Sequence, residues 1–368
     1  LAGTSGANAV YIPGGSYLIS TPLLVPSNIS IFGDGRGRSI LKLLASASCN
    51  VMQNQNLNTS TPDNNITLRD FTIDGNKTNQ PVVLTNYGIQ LDPIQNLYLH
   101  DVEVHDVAGT GIKISGGGLI IGPATVSDIY VHDNAFYGIQ IDHALRRTEV
   151  TNIIAEGNGG IGVLFDASQC NASNIYARAN GNRAGVVNDP AIYLRNVTGC
   201  NFTNLTADNN YRDGIRCDGA SNCTGASWRA QNNGQKTANT YDDLSFQVNP
   251  LPPGYGETSN FTLQGLIVGQ NTQTADPIGS AGRERYAINF NDVCNTGITI
   301  SGIVNMGATT AAVRWPTAPG TGFNITSARP QHKFALITAT GAGTFTTDAD
   351  VTPDTKFKVT LQGAGARW

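Results

Sequence analysis

A chain of 368 residues with 42 glycines, a net charge of -4 and 14% charged residues is long enough for one large core or for an elongated array of repeats. The weakly acidic balance argues against a nucleic-acid partner, because duplex binding needs a basic stripe. No stretch has the apolar length needed to cross a membrane. Helix formers are scarce, with two Met and few Lys and Glu against abundant Asn, Thr, Gly, Ile and Val, a mixture that favours short strands and tight turns.

Residues 1–10 lack the basic start and apolar run of a signal peptide. The first elements lie in VYIPGGSYLIS (10–20) and NISIFGDGRGRSILKL (28–43). A repeat then becomes readable: VSDIYVHDNAFYGIQI (126–141) is echoed by VTNIIAEGNGGIGVLF (150–165), ASNIYARAN (172–180) and FTNLTADNNYRDGIRC (202–217). On one register Asn76, Asn134, Asn158, Asn180, Asn210 and Asn233 fall in a column, with Val107 as the exception. Gly88, Gly111, Gly138, Gly162 and Gly214 form a second column, with Ala191 among them; by subtraction their spacings are 23, 27, 24, 29 and 23 residues. Such a period, with short strands and turns, predicts a β-solenoid coil. Asn suits a stacked turn because it tolerates the left-handed conformation and its amide can bond the neighbouring coils.

The cysteines follow the same phase. Cys170, Cys200 and Cys223 each precede a ladder Asn by ten residues, and Cys294 takes the matching place in a later coil. They are expected as a buried column of reduced side chains rather than as disulfides. Sequons such as Asn196-Val197-Thr198 are expected by chance in turns this rich in Asn and Thr, and no glycosylation is expected.

The short strand after each aligned glycine reads GIQLD (88–92), GIKIS (111–115), GIQID (138–142), GVLFD (162–166), AIYLR (191–195) and GIRCD (214–218). Side chains alternate along a strand. The apolar second and fourth positions therefore point inward, and the third and fifth form two exposed columns. The first is Gln90, Lys113, Gln140, Leu164, Tyr193, Arg216; the second is Asp92, Ser115, Asp142, Asp166, Arg195, Asp218. With coils about 4.8 Å apart, Asp142 and Asp166 are near neighbours, and such a pair raises at least one pKa and can do acid/base work. A further column, His105, His132, Glu156, Arg178 and Asp208, has mixed signs and no metal-ligand spacing, and reads as a solvated turn edge. His100 and His332 have no evident partner. Segments 235–259 and 270–284 are insertions of the kind that rise on one face of a solenoid and wall a groove.

The opening coils resemble those of the pectate-lyase-like superfamily, which includes phage tailspikes and polysaccharide lyases. A capping segment usually precedes them there; this chain begins inside the pattern, so a preceding segment is expected. The resemblance and the repeat together predict an all-β chain: a right-handed single-stranded parallel β-helix over 1–325 that processes polysaccharide. Residues 326–368, where the repeat fades, resemble the small β modules at the ends of phage tail fibres and would cap the open end of the solenoid.

Residues 137–183 resemble the catalytic coils of secreted alginate (mannuronan) C5-epimerases, whose motif is Tyr-Gly-x-Asp-Pro-His with an Asp one coil later and an Arg one coil after that. Tyr137, Asp166 and Arg183 fall on matching positions; the motif's Asp and His positions hold Gln140 and Asp142, with His143 adjacent. The resemblance implies C5 proton removal from a uronate. Arg183 would pair the substrate carboxylate, Tyr137 would act as acid or base, Asp142 or His143 would be its counterpart, and Asp166 would position or neutralise. Lys113, Gln140, Tyr193, Arg195, Arg216 and Asp218 would line the groove and bind substrate.

Three functions follow: a lyase or C5-epimerase on a uronate polymer, a tailspike-type hydrolase using Asp142, Asp166 or Asp218 as a carboxylate pair, or a tail protein that only binds glycan. The resemblance also implies an extracellular or virion-tail location, a homotrimer, and a calcium ion as in some relatives.

Overall fold

A computed structural model describes residues 8–81, 85–118, 122–142, 145–184, 189–237, 240–247, 258–269, 285–290, 296–305, 311–314, 324–327, 343–348 and 356–361. The chain is a parallel β-helix, and among the described residues its helical content is one short 3-10 turn, Lys77–Asn79. It divides into two compact units, Leu1–Tyr176 with Asn180–Val186, and Ala177–Ala179 with Val187–Trp368.

In the first unit each coil lays one long and one short strand onto its neighbours. The long strands Asp63–Asp74, Ile94–His105, Ala124–His132 and Thr148–Glu156 pair in parallel. Their apolar residues stack in continuous buried rows, such as Phe71, Val102, Ile129 and Ile153, and Ile73, Val104, Val131 and Ala155. Each long strand turns a corner midway, at Asp70, Asp101, Asp128 and Asn152, all with left-handed φ of 64°, 50°, 55° and 56°. Asn and Asp tolerate that conformation better than other residues with a side chain. The short strands Met52–Asn54, Tyr87–Leu91, Thr110–Ile114, Ile139–Ile141 and Val163–Phe165 form the other sheet. Their inward row is Met52, Ile89, Ile112, Ile139 and Val163, and their outward row is Gln53, Gln90, Lys113, Gln140 and Leu164.

The asparagine column is a real ladder. Nδ2 of Asn134 donates to Oδ1 of Asn158 at 2.9 Å, and Nδ2 of Asn158 to Oδ1 of Asn180 at 3.0 Å. Val107, the apparent exception, joins through its backbone N–H, which donates to Oδ1 of Asn134 at 3.0 Å. A second, exposed ladder runs Asn28, Asn65, Asn96, with links of 2.8 and 3.1 Å.

The second unit repeats the plan. Asn201–Asp208, Ser221–Gln231, Ser259–Gly269 and Thr296–Asn305 form the long parallel sheet, and Ile192–Arg195, Ile215–Asp218, Leu244–Gln247 and Tyr286–Phe290 the short one. Its ladder runs from Asn210 to Asn233 at 2.8 Å and ends on Oδ1 of Asp243, also at 2.8 Å. The core is aromatic: Trp228 packs edge-on to Phe261 at 5.6 Å and donates from Nε1 to the Phe202 carbonyl at 3.0 Å. Gly225 is required there, because a Cβ would meet the Trp228 ring at 2.9 Å. Parallel pairing continues through Asn324–Ser327 to Gly343–Asp348, and Lys356–Leu361 then pairs antiparallel. The described cysteines Cys170, Cys200, Cys217 and Cys223 are free and buried, and Cys49 is free and half-buried. Cys294 lies outside the described residues.

Candidate functional site

The outward positions of the short strands line up as their alternation requires, but much of the band is covered. Asp166 is 4% exposed in the first unit; Tyr193, Arg216 and Asp218 are 8%, 7% and 0% exposed in the second. The expectation of open columns therefore needs correction for these four and for Gln90, Asp92, Ser115 and Leu164, which are buried as well. In the second unit the physical reason is visible: stacked side chains lie over and bond one another, which removes them from water.

In the first unit Lys113 is the hub. Its Nζ lies 3.0 Å from Oδ2 of Asp92 and 3.8 Å from Oδ2 of Asp142, while Gln140 Nε2 donates to Oδ2 of Asp142 at 2.9 Å. Burial opposes the Lys113 charge, but the hydrogen bond and charge of Asp92, with the charge of Asp142, outweigh it and hold the ammonium above its usual range. Backbone bonds from Ser115 to Leu91, Asp142 to Ile114 and Asp166 to Ile141 keep these residues in one phase on successive coils.

One turn away, Tyr137 and Arg183 come together on a residue between them. The Tyr137 ring stacks on Phe136 with centroids 3.8 Å apart and planes 20° apart, and the Arg183 guanidinium carbon lies 4.8 Å from the Phe136 centroid. Phe136 carries no sequence signal beyond its place before Tyr137. His143, like His332, lies outside the described residues.

In the second unit the Tyr193 hydroxyl donates to Asp218 Oδ2 at 2.6 Å, and Arg216 holds the same carboxylate through Nε and Nη2. Arg216 and Arg195 lie over the Tyr193 ring at 5.4 and 5.9 Å. Burial, then the Asp218 charge, pushes the Tyr193 hydroxyl above its ordinary pKa.

Beside this group is a carboxylate pair that the sequence reading missed. Asp213 Oδ1 accepts the Asp242 backbone N–H at 2.8 Å; Asp242 is held by Arg285 at 3.1 and 2.7 Å and by Asn289 at 2.6 Å. Burial first, and the Asp242 charge second, push Asp213 up to about 7. Both acids precede the glycine-column position of their coils. Extending the register past Asn233 to Asp242-Asp243 would have revealed the pair.

The histidine column is more organised than a solvated edge. Asp74, His105, His132 and Glu156 stand in register on the long sheet. The His132 ring stacks between Tyr130 at 4.2 Å and His105 at 5.0 Å. Its two nitrogens face Glu103 at 3.3 Å and Asp133 at 2.8 Å. His100 pairs with Asp128 at 3.1 Å. Among the described residues, Asp74, His105 and Asp106 are the group whose ligand atoms lie within 4.8 Å of one another. Lys42 already holds Asp74 at 2.6 Å and Lys77 holds Asp106 at 3.3 Å. A histidine and two lysine-bound carboxylates do not fit calcium, which takes six to eight oxygen ligands.

Residues 2–216 match the sequence model of the rhamnogalacturonase A/epimerase, pectate lyase-like family. The chain belongs to that family. It is 30% identical over 116 residues to the pre-neck appendage protein of Bacillus phage phi29, covering 30% of this chain and 14% of that protein. It is 25% identical over 199 residues to the mannuronan C5-epimerase AlgE1 of Azotobacter vinelandii, covering 50% of this chain and 14% of the epimerase. The chain thus spans about one seventh of the length of these relatives. Similar folds are the A-module of the Azotobacter vinelandii mannuronan C-5 epimerase AlgE4 and the enzymatically active domain of bacteriophage CBA120 tailspike protein 2. The first has a TM-score of 0.58 at 17% identity, covering 90% of this chain and 92% of the module. The second has a TM-score of 0.64 at 16% identity, covering 88% and 50%.

Proposed function

We propose that this chain acts on a uronate-containing polysaccharide by removing the C5 proton, as a lyase or C5-epimerase, on the first unit's short-strand face. The observation that carries the reading is the meeting of Tyr137 and Arg183 on the Phe136 ring, with the Lys113 ammonium held among acids on the same unit. Removing the C5 proton leaves negative charge that spreads into the adjacent carboxylate. Arg183 and Lys113 would offset that charge. Tyr137 and Asp142 or His143 would take and give protons, and Asp166 would position them. Return of a proton to the opposite face inverts C5. Loss of the 4-linked oxygen, protonated as it leaves, gives an unsaturated sugar and a shorter chain.

A glycoside hydrolase is the second reading, favoured by one observation. Asp213, pushed up to about 7 beside an Arg-held Asp242, has the split environment of an acid/base pair. The relatives named as phage pre-neck appendage proteins support a virion-tail location; a trimer and an end module at residues 326–368 belong to the same proposal.

The test is proton NMR of polymannuronate, mixed alginate, pectin and bacterial capsules incubated with the protein. Unsaturated-sugar signals or inverted C5 centres, lost in Tyr137→Phe, support the first reading. New reducing ends without unsaturation, lost in Asp213→Asn, support the second. Silence across the panel overturns both in favour of glycan binding alone.

A further inference from the structure

We propose that Phe136 is a positioning residue, the platform that sets Tyr137 and Arg183 for C5 chemistry, and that Gly159-Gly160 lets it act across two coils. The inference rests on the proton-abstraction reading above. Its geometric core is independent of any substrate.

The turn after the asparagine ladder stacks coil upon coil. Phe136 N–H donates to the Gly109 carbonyl at 2.9 Å, and Phe136 O accepts from Gly160 at 2.7 Å. Arg183 N–H then donates to the Gly159 carbonyl at 2.8 Å. Phe136 and Arg183 are therefore separated by one whole coil, a gap of about 9.6 Å between their backbones on the usual strand spacing. Their side chains nevertheless meet, with the guanidinium carbon 4.8 Å from the ring centroid. The coil between them places two glycines, Gly159 and Gly160, at that turn. A Cβ on Gly159 would lie 2.3 Å from the Ala135 carbonyl oxygen and 3.5 Å from Cβ of Arg183, crowding the backbone of one neighbouring coil and the base of Arg183 on the other.

Phe136 is thus fixed by backbone bonds on both sides, and it offers its ring to Tyr137 and to Arg183. A planar ring restricts a guanidinium to the orientation parallel or tilted over its face and limits the rotamers of a stacked phenol. Two groups that must act on one sugar are oriented by a third that touches no reacting atom. Misplacement of such groups by about 1 Å costs on the order of a hundredfold in rate. A merely structural Phe would tolerate Leu, which fills similar space without a flat face.

The experiment compares the wild type with Phe136→Leu and Phe136→Tyr by two readouts. The first is the Arg183 Nε–H resonance, assigned with Arg183→Lys, which the ring current of Phe136 shifts upfield. The shift is expected to vanish in Phe136→Leu and persist in Phe136→Tyr. The second is turnover of polymannuronate and pectin. Phe136→Leu is expected to lower kcat by about tenfold or more, with Phe136→Tyr restored to within about twofold of wild type. An unshifted Arg183 resonance in the wild type overturns the proposal whatever the activity. So does a Phe136→Leu enzyme with wild-type kcat. A wild type inert on these polymers overturns the functional reading instead, and the Arg183 resonance alone then decides whether Phe136 orders the pair.

Discussion

The Tyr193 hydroxyl donates to Oδ2 of Asp218 at 2.6 Å, and neither residue is more than 8% exposed. Arg216 completes the cover by binding the same carboxylate. The arrangement makes this part of the predicted groove a consolidated polar plug as well as a surface. Tyr193→Phe should destabilise the second unit by about 1–3 kcal/mol, the cost of leaving a buried acceptor short of one donor. Arg216→Met should cost more, about 3–5 kcal/mol, because it strands a buried carboxylate. Urea unfolding of both single variants and the double variant gives the coupling; strict additivity would contradict a shared network.

The Lys113–Asp92 pair makes an analogous prediction in the first unit. With side chains only 17% and 9% exposed, removing the ammonium in Lys113→Met should cost about 3 kcal/mol. Adding Asp92→Asn to it should return much of that loss. Chemical denaturation followed by circular dichroism measures both. A Lys113→Met protein as stable as the wild type would mean that the pair is solvated rather than packed.

Two groups give stability that falls as pH rises, in different windows. His132 faces Glu103 and Asp133 through its two nitrogens, so the imidazolium is the bonded form. Burial opposes that charge, but the two acids outweigh it and raise the pKa above 6.5. The contribution is complete below 6.5 and is lost as pH rises through the higher folded value. His132→Gln should flatten that loss.

Asp213 works from the acid side, since its folded value of about 7 lies above the ordinary 3.8. Its unfolded form releases a proton first, so stability falls between these two values and levels beyond them. Asp213→Asn should remove the fall. Denaturant midpoints measured across both windows separate the two groups, and slopes unchanged by either variant would contradict the assignment.

The thiols make a simple check. Cys49, half-buried, should react first with a thiol reagent in the folded protein, while Cys170, Cys200, Cys217 and Cys223 should react only on unfolding. Reductant should leave the melting temperature unchanged.

Much of the fold was readable because one side chain marked one place in every coil. Asn134, Asn158 and Asn180 bond directly to one another, so the spacing seen in the sequence is the spacing of contacts. Alternation likewise gave the outward positions of Lys113 and Gln140. It failed to give exposure: alternation says which way Asp166 or Asp218 leaves the sheet, not what lies over it. Phe136 was invisible because its contact with Arg183, 47 residues on, is a relation across coils rather than along a strand. The histidines were underread for the same reason, since His105 and His132 gain their meaning from stacking face to face at 5.0 Å.

The ladder has a consequence for how such a chain can change in length. Asn134 to Asn158 is one complete turn of 24 residues, and a single side-chain amide bond joins its two ends. Excising or duplicating a whole turn joins amide to amide and leaves every inward row continuous. Losing a single residue from a short strand instead exchanges the Lys113 row with the Ile112 row. The natural unit of variation is therefore the coil, and the length of the short-strand face is adjusted in whole coils, like links in a chain.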